Sequence, residues 1–385
     1  MKKAMAVMLL FSGLSLAAGD SPWHWTGSGK SAVTLLLLGD VSPERRADPV
    51  ASLEHVSATL READLAYGNL EGLLIKSEGP DNDIPDKSGW QYIGPEAVKV
   101  LKAGNIPVVG VANNVPYGLV NVEKSLAVLD ANSILHTGAG ANINDAHKPA
   151  IIERKGVKFG FLQYTAKWYD EQQQIATADH AGVARIKSTD GKMVDPGDLE
   201  RMREDIRKLR PLVDVLVVSS HNRDGQGRTT SAATPSDRGG SSPASLTTPI
   251  PLGPSFSQRE DYERQVAYVA IDAGADIVYG HGSHVVKGVE VYKGKPIMYC
   301  LGDFVTDWIR MRPNKEGLIT RVVVQGKKVS RVSIAPLTRD ENNNVLILDP
   351  SEGAGAKLMD KVKSLSGDTP LRIDGEEAIL IEHSL

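Results

Sequence analysis

The chain has 385 residues, 41% hydrophobic and 24% charged, with a formal charge of −4. That balance excludes a fibrous or largely disordered protein and leaves room for one large α/β domain or two smaller ones. Losing Lys2 and Lys3 with a leader takes the charge to −6, which gives no general affinity for nucleic acid or anionic lipid, so any polyanion must be held locally.

Residues 1–18 have the layout of a secretory signal peptide: Lys2 and Lys3, an apolar run over 4–16, then the small residues Ala17 and Ala18. The run is shorter than the roughly 20 residues of a transmembrane helix. The expectation is a cleaved leader, no membrane span afterwards, and a secreted or periplasmic location. Oligomeric state is not legible. A single Cys300 excludes an intrachain disulfide, and among Ile297, Met298, Tyr299 and Leu301 it reads as a core thiol.

A Ser-, Gly- and Trp-rich lead-in covers 20–31. Its Gly29-Lys30-Ser31 lacks the first glycine of a phosphate-binding loop and precedes a strand, so it carries no nucleotide site. Residues 33–38 are continuously apolar, as in strands buried on both faces, and Gly39-Asp40 is expected to end that strand. A helix is predicted over 49–62, with Leu53, Val56 and Leu60 on one stripe. Residues 65–67 read as a strand running into Gly68-Asn69-Leu70-Glu71, and 77–90, heavy in Gly, Pro and Asp, as an excursion beside the cleft. A helix near 95–103, a strand over 107–112 ending in Asn113-Asn114, and a helix near 120–131 continue an alternation that argues for mostly parallel strands.

Strands over 150–153 and 158–164 flank a hairpin turn at Arg154-Lys155-Gly156-Val157. A helix over 198–209 and a strand over 213–218 lead to His221. Residues 222–257, dominated by Ser, Thr, Pro and Gly, read as a mobile insertion, which its place directly after His221 makes either a lid over the cleft or a bare solvated loop. Then come a helix over 258–273, a strand over 276–279, the turn Gly280-His281-Gly282-Ser283-His284, and strands near 289–292 and 296–301. Beyond Gly317 the pattern is β-rich, with a late helix near 355–365. The domain reading is a leader over 1–18, a main domain over 32–317 with the insertion 222–257, and a β-rich section over 318–385 packed on the same domain.

Five predicted strands therefore run out into residues that bind metals or move protons: Asp40; Asn69 and Glu71; Asn113 and Asn114; His221; His281 and His284. In open α/β sheets the carboxyl ends of the strands line the ligand crevice, so such residues converge although distant in sequence. Taken singly each has a plainer reading: a cap for Asp40, a turn for the asparagines, a satisfied core histidine for His221. Their shared position points to a metal-centred hydrolytic site. Mixed carboxylate, amide and imidazole donors suit Mn, Zn, Fe or Mg without choosing among them. Ser219 or Ser220 with His221 and Asp224 lacks a nucleophile elbow. A glycosidase pair at Asp40 and Glu71 would leave the histidines without a task.

With these residues laid out, the chain resembles the CapA-type family of poly-γ-glutamate capsule biosynthesis proteins, which looks related to the calcineurin-like metallophosphoesterase fold. The resemblance lies in residues 37–41 (LLGDV), 64–71 (DLAYGNLE), Ala112-Asn113-Asn114 with Tyr117-Gly118, 137–142 (TGAGAN), Ser220-His221, 273–285 (AGADIVYGHGSHV) and 299–304 (YCLGDF). It implies an active-site cluster of Asp40, Glu71, Asn113 or Asn114, His221, His281 and His284. Three departures stand out. Val115 occupies the place of a histidine after the paired asparagines. Asn222-Arg223-Asp224 and the insertion replace a Trp-Gly and an acidic residue, and Asp303 replaces an asparagine.

The expected fold is thus α/β: a metallophosphoesterase-like αββα sandwich of two mixed sheets flanked by helices, with a β-rich C-terminal section. Asp40, Glu71, Asn113, Asn114, His221 and His284 are expected to hold divalent metal, with His221, His281 and Asp303 in catalytic roles. Asn69 and the arginines Arg45, Arg46, Arg223, Arg310 and Arg312 are expected to hold an anionic polymer or oligomer, since guanidinium groups pair bidentately with carboxylate or phosphate. The expected function is a secreted metal-dependent hydrolase of a polyanion such as poly-γ-glutamate or its fragments. The alternative is a non-enzymatic capsule or envelope polymer-binding factor with a degenerate metal site.

Overall fold

The computed structural model describes residues 32–44, 46–76, 92–116, 118–188, 192–222, 261–307 and 314–383. The first apolar run forms β1 (Val33–Ser42), buried along its whole length. It is followed by α1 (Ser57–Glu62), β2 (Leu65–Leu70), α2 (Val98–Ala103), β3 (Val108–Gly110), α3 (Leu119–Ala131) and β4 (Leu135–Thr137). Strands β1 to β4 pair in parallel, as the alternation of strand and helix requires. Asp40 does not end β1, which continues to Ser42 because a second partner takes over its edge there. The helix expected over 49–62 is broken. A 3-10 turn over Pro49–Leu53 is capped by Asp48, and the Ser52 hydroxyl donates to Pro49 O at 2.7 Å, a local bond that competes with helix propagation.

The next segment holds β5 (Ala139–Gly140), α4 (Ile143–Ala146), β6 (Ala150–Arg154), β7 (Val157–Thr165), α5 (Glu171–Gln174), β8 (Gly182–Val183), α6 (Pro196–Leu209) and β9 (Val215–His221). Lys155 and Gly156, both with positive φ (48° and 77°), make the tight β6–β7 hairpin that the sequence predicts. Then come α7 (Asp261–Ala273), β10 (Ile277–His281), β11 (Val289–Tyr292), β12 (Lys295–Met298) and β13 (Asp303–Thr306). The remainder is β14 (Gly317–Gln325), β15 (Lys328–Arg339), β16 (Val345–Ile347), α8 (Gly353–Leu365), β17 (Arg372–Asp374) and β18 (Glu377–Glu382).

Among the described residues these strands build one ten-stranded sheet, ordered β17-β18-β15-β14-β1-β2-β3-β4 with β13 on β1 and β16 on β15. A six-stranded sheet runs β11-β12-β10-β9-β7-β6. Both are mixed, and β5 with β8 makes a small ribbon. The β-rich end of the chain extends the first sheet, since β14 pairs antiparallel with β1. Three cores show the layering. Leu36, Leu38, Ala66 and Val109 face α1 to α3, and Leu162, Leu216, Val218 and Val278 face α6 and α7. Leu35, Leu37, Leu65 and Tyr67 meet Phe159, Phe161, Val217 and Ile277 between the sheets. Burying each large apolar side chain contributes roughly 1.5–3 kcal/mol, so these alternating faces fix which side of every strand looks inward. The result is an αββα sandwich. No helix among the described residues is long and apolar enough to cross a membrane; the leader expected over 1–18 and most of the insertion lie outside them.

One edge of β1 changes partner midway. Its residues 33–37 pair with β14, whereas Asp40 to Ser42 pair with β13, in register Asp40 with Asp303. The handover needs Gly39, where a Cβ would lie 1.9 Å from Gly302 O. Two carboxylates are thereby seated side by side.

Candidate metal centre

On their inter-sheet faces the strands grade from apolar to polar toward their carboxyl ends, reading every second residue. β9 presents Val215, Val217, Ser219 and His221; β10 presents Ile277, Tyr279 and His281; β7 presents Phe159, Phe161 and Gln163; β2 presents Leu65, Tyr67 and Asn69. Register aligns the polar ends: His281 and Thr165 both pair with His221, Gln163 with Ser219, and Asp40 with Asn69. The site is the polar end of the inter-sheet core.

Asp40 sits at its middle, fully buried. Its Oδ1 accepts from Asn69 Nδ2 at 2.7 Å and lies 3.7 Å from His281 Nδ1, while Oδ2 accepts from Gly282 N–H at 3.1 Å and lies 3.5 Å from His284 Nδ1. His284 Nδ1 is also 2.8 Å from Asp303 Oδ1, and its Nε2 is 3.7 Å from Glu71 Oε1. His221 Nε2 meets Asn114 Oδ1 in a short contact and lies 3.9 Å from Glu71 Oε1. Two buried donor sets result, Asp40 with His221 and His281, and Asp40 with His284 and Asp303. Within each set the donor atoms lie within 4.8 Å of one another.

The charges are unbalanced. Burial pushes Asp40 up to about 7, with Asp303 adding to the effect, and pushes Glu71 well above the usual carboxylate range. Burial holds His281 down to about 3 and His221 well below its ordinary value, so both rings are neutral and have a lone pair to offer. His284 is the exception. Burial works against its charge, yet Glu71, Asp303 and Asp40 outweigh it and raise the ring to about 10. An imidazolium is thus the cation nearest three buried carboxylates.

The donors fit a divalent cation. Asp303 Oδ2 is buried with no hydrogen-bond partner among the described residues, Arg339 Nη1 standing 3.6 Å off. Gln163 Nε2 donates to Asn69 Oδ1 at 2.7 Å and to Ala112 O at 3.2 Å, and lies 3.0 Å from His281 Nε2. Those two acceptors engage both hydrogens of the Gln163 amide, and His281 Nδ1 lies 3.0 Å from His221 Nδ1, both nitrogens on the side of Asp40 where the first donor set would hold a metal. Carboxylate oxygens and imidazole nitrogens in this mixture suit Mn, Zn, Fe or Mg alike.

The structure brings Asp40, Glu71, Asn114, His221, His281, His284 and Asp303 together, and it revises several expectations. Asn69 is fully buried between Asp40, Asn113 and Gln163, so it orients the carboxylate and is out of reach of a substrate. Asn113 directs its amide to Asn69 Oδ1 and Leu70 O and accepts from Val115 N–H; of the two asparagines, Asn114 is the one whose oxygen faces the histidines. His281, expected to move a proton, has both ring nitrogens against protein groups and no exposure, which suits a ligand. Arg46 is not available to an anion. Nε donates to both oxygens of Asp307 at 2.7 Å, and its other nitrogens donate to Asn344 Oδ1, Asn342 O and Asn343 O. Arg45, Arg223, Arg310 and Arg312 lie outside the described residues.

Sequence reasoning missed Gln163 and Arg339. Gln163 was legible in principle, as the polar third member of the Phe159, Phe161, Gln163 face; Arg339 gave no signal, because it reaches Asp303 from a strand far along the chain.

Glycines shape the turn that carries the histidines. Gly282 has φ 88°, and a Cβ there would lie 2.6 Å from the His221 ring; His284 follows at φ 56°, which a non-glycine residue adopts at a cost of order 1–3 kcal/mol. Gly282→Ala is therefore expected to displace His221 and to lower metal affinity by about 10–100-fold, as loss of a ligand-orienting group does. Isothermal titration with Mn or Zn checks this, and parent affinity in the variant would contradict it.

The model of the family described as bacterial capsule synthesis protein PGA_cap matches residues 34–236 and 253–308, which include every member of the cluster. PGA biosynthesis protein CapA of Bacillus subtilis is 29% identical over 278 residues, covering 71% of this chain and 61% of its own. Protein y4sH of Sinorhizobium fredii is 26% identical over 346 residues (78% and 72%). A probable polyglutamine synthesis accessory protein of Mycobacterium tuberculosis is 27% identical over 251 residues (64% and 56%). A solved phosphatase from Mycoplasma pneumoniae aligns over 80% of this chain and 94% of its own at 12% identity and a TM-score of 0.44. With well over half of the residues matched by the family model, the chain belongs to the bacterial capsule synthesis protein PGA_cap family.

Proposed function

We propose that the chain is an exported metal-dependent hydrolase acting on an anionic polymer such as poly-γ-glutamate or its fragments. The observation that carries this reading is Asp40, shared by two buried donor sets that each include imidazole and carboxylate. The name of the Bacillus subtilis relative, PGA biosynthesis, supports a glutamate polymer, and that of the Mycobacterium tuberculosis relative, polyglutamine synthesis, a polymer of the related amide.

A divalent cation bound by these residues would supply an activated water and polarise a carbonyl or phosphoryl oxygen. The chain's own residues do the rest. Asn69 and the Gly282 N–H hold Asp40 in orientation, and Asp303 holds His284 through Nδ1, leaving Nε2 turned toward Glu71. His221 turns Nε2 to the same carboxylate. Those three groups, His221, His284 and Glu71, are where a proton is held beside the reacting bond.

Elemental analysis of the purified protein, run beside hydrolysis assays on poly-γ-glutamate and on phosphoesters, tests the reading. The expected result is bound divalent metal and chelator-sensitive release of γ-glutamyl products. One observation favours the second reading, a polymer-binding assembly factor: Val115 is buried at 2% exposure where the family resemblance places a histidine. Polymer binding without hydrolysis of either substrate class would establish that reading instead.

A further inference from the structure

The six-stranded sheet carries a second polar cluster on its other face. Gln163 turns toward the metal centre, so Tyr164, the next residue of β7, turns toward α6. There its hydroxyl donates to Asp205 Oδ2 at 2.9 Å, and the same oxygen lies 2.6 Å from His147 Nδ1. Burial and the Asp205 charge hold the Tyr164 phenol well above its ordinary value, so it stays the donor. A carboxylate only accepts, which gives the proton to His147 Nδ1 and makes Nε2 of the neutral ring an acceptor. That Nε2 has no partner among the described residues.

His147 and Asp205 stand in the wall of a cavity of about 320 Å³ between α4 and α6, at the small end of the range for ligand sites. Its walls are tied in place. Thr137 Oγ1 donates to Lys148 O at 2.8 Å, and Asn142 caps α4 by accepting from the Asp145 N–H at 3.0 Å. On α6 the burial of Met202 and Ile206 against the sheet leaves Arg201, Asp205 and Leu209, spaced by four, on the stripe that lines the cavity. Arg201 is exposed and has no partner among the described residues, whereas Lys148 pairs with Asp145 at 2.6 Å and Lys208 with Glu204 at 3.5 Å. Ile143, Pro149, Leu209 and Leu212 supply the apolar lining, and Leu212 is 57% exposed.

One cavity thus joins a guanidinium without a counter-charge, an imidazole acceptor held by a mostly buried carboxylate, and an apolar floor. A guanidinium pairs bidentately with a carboxylate, an imidazole lone pair takes an N–H, and exposed leucine surface is stabilised by covering it with an aliphatic chain. We propose that this cavity is a second ligand site, for an N-acylated amino acid with an apolar side chain, free or at the end of a peptide. Arg201 takes the carboxylate, His147 Nε2 accepts from the amide N–H, and Ile143, Leu209 and Leu212 cover the side chain. The site does not depend on the metal centre, which lies on the other face of the sheet.

The test is isothermal titration of N-acetyl-leucine into the full chain, beside N-acetyl-leucinamide, which lacks the carboxylate, and acetate, which lacks the apolar part. N-acetyl-leucine is expected to bind with a dissociation constant of about 1 mM or tighter, and each of the other two at least about tenfold more weakly. Methylating the amide nitrogen of the ligand removes the N–H that His147 accepts and should weaken binding about fivefold. Arg201→Ala is expected to weaken binding about tenfold and Leu212→Ala about threefold, with melting temperature and bound metal unchanged because both side chains are exposed. An alanine-rich peptide ending in leucine separates the two sources: tighter binding than N-acetyl-leucine assigns the site to a peptide end, equal or weaker binding to the free acyl amino acid. A parent that gives no saturable binding of either ligand overturns the site, and so does Arg201→Ala binding as tightly as the parent.

Discussion

Asp40→Ala is expected to reduce bound metal to below about a tenth of the parent level, because one carboxylate serves both donor sets and its loss leaves each with only two donors. Asp303→Ala and His281→Ala each remove a member of one set, so each should leave the other able to load. Asn69→Ala keeps all ligands but frees Asp40 to rotate, and a loss of about 10–100-fold in affinity is expected. Elemental analysis after desalting separates these levels. Parent stoichiometry in Asp40→Ala would sink the metal-centre reading, and equal losses in all four variants would show that the cluster is a single indivisible site.

The chelated protein should lose stability as pH rises above neutrality. His284 is raised from 6.5 to about 10 in the fold, so its contribution is complete below about 6.5 and is lost as pH climbs through 10. Asp40, raised from 3.8 to about 7, loses its contribution over a lower window. His221 and His281, both lowered, act oppositely: the unfolded chain binds their protons first, so stability grows as pH rises toward 6.5. Below neutrality these contributions oppose one another. Above it only the losses remain, worth roughly 1–3 kcal/mol between about pH 7 and 9 at about 1.4 kcal/mol per proton per pH unit. A divalent cation replaces the imidazolium as the balancing charge, so the loaded protein should show a flat or rising profile over the same range. Denaturant melts of chelated and loaded protein check this, and identical slopes would contradict it.

How much of this was legible depended on whether a residue's role is local. Asp40, His221, His281 and His284 could be found because each follows an apolar strand, and the apolar run marks where the strand leads. The sandwich followed from the same runs. What the sequence could not show was pairing across large separations. Arg46 looks like a substrate arginine until Asp307, 261 positions away, is seen to hold it. Asn69 looks like a cleft residue until Gln163 and Asn113 close over it. The helix over 49–62 failed for a nearer reason, a serine hydroxyl that bonds its own turn.

The sheet of β1 and β13 contributes Asp40 and Asp303, and the sheet of β9 and β10 contributes His221 and His281, with His284 just beyond it. Either donor set therefore spans the seam of the sandwich, and an ion in it would act as a cross-brace between layers that otherwise meet at that end through side-chain packing and a few hydrogen bonds, Gln163 to Asn69 and Gly282 to Asp40 among them. Where unfolding is followed by proteolysis, the lifetime of the folded chain then becomes tied to the local supply of free cation.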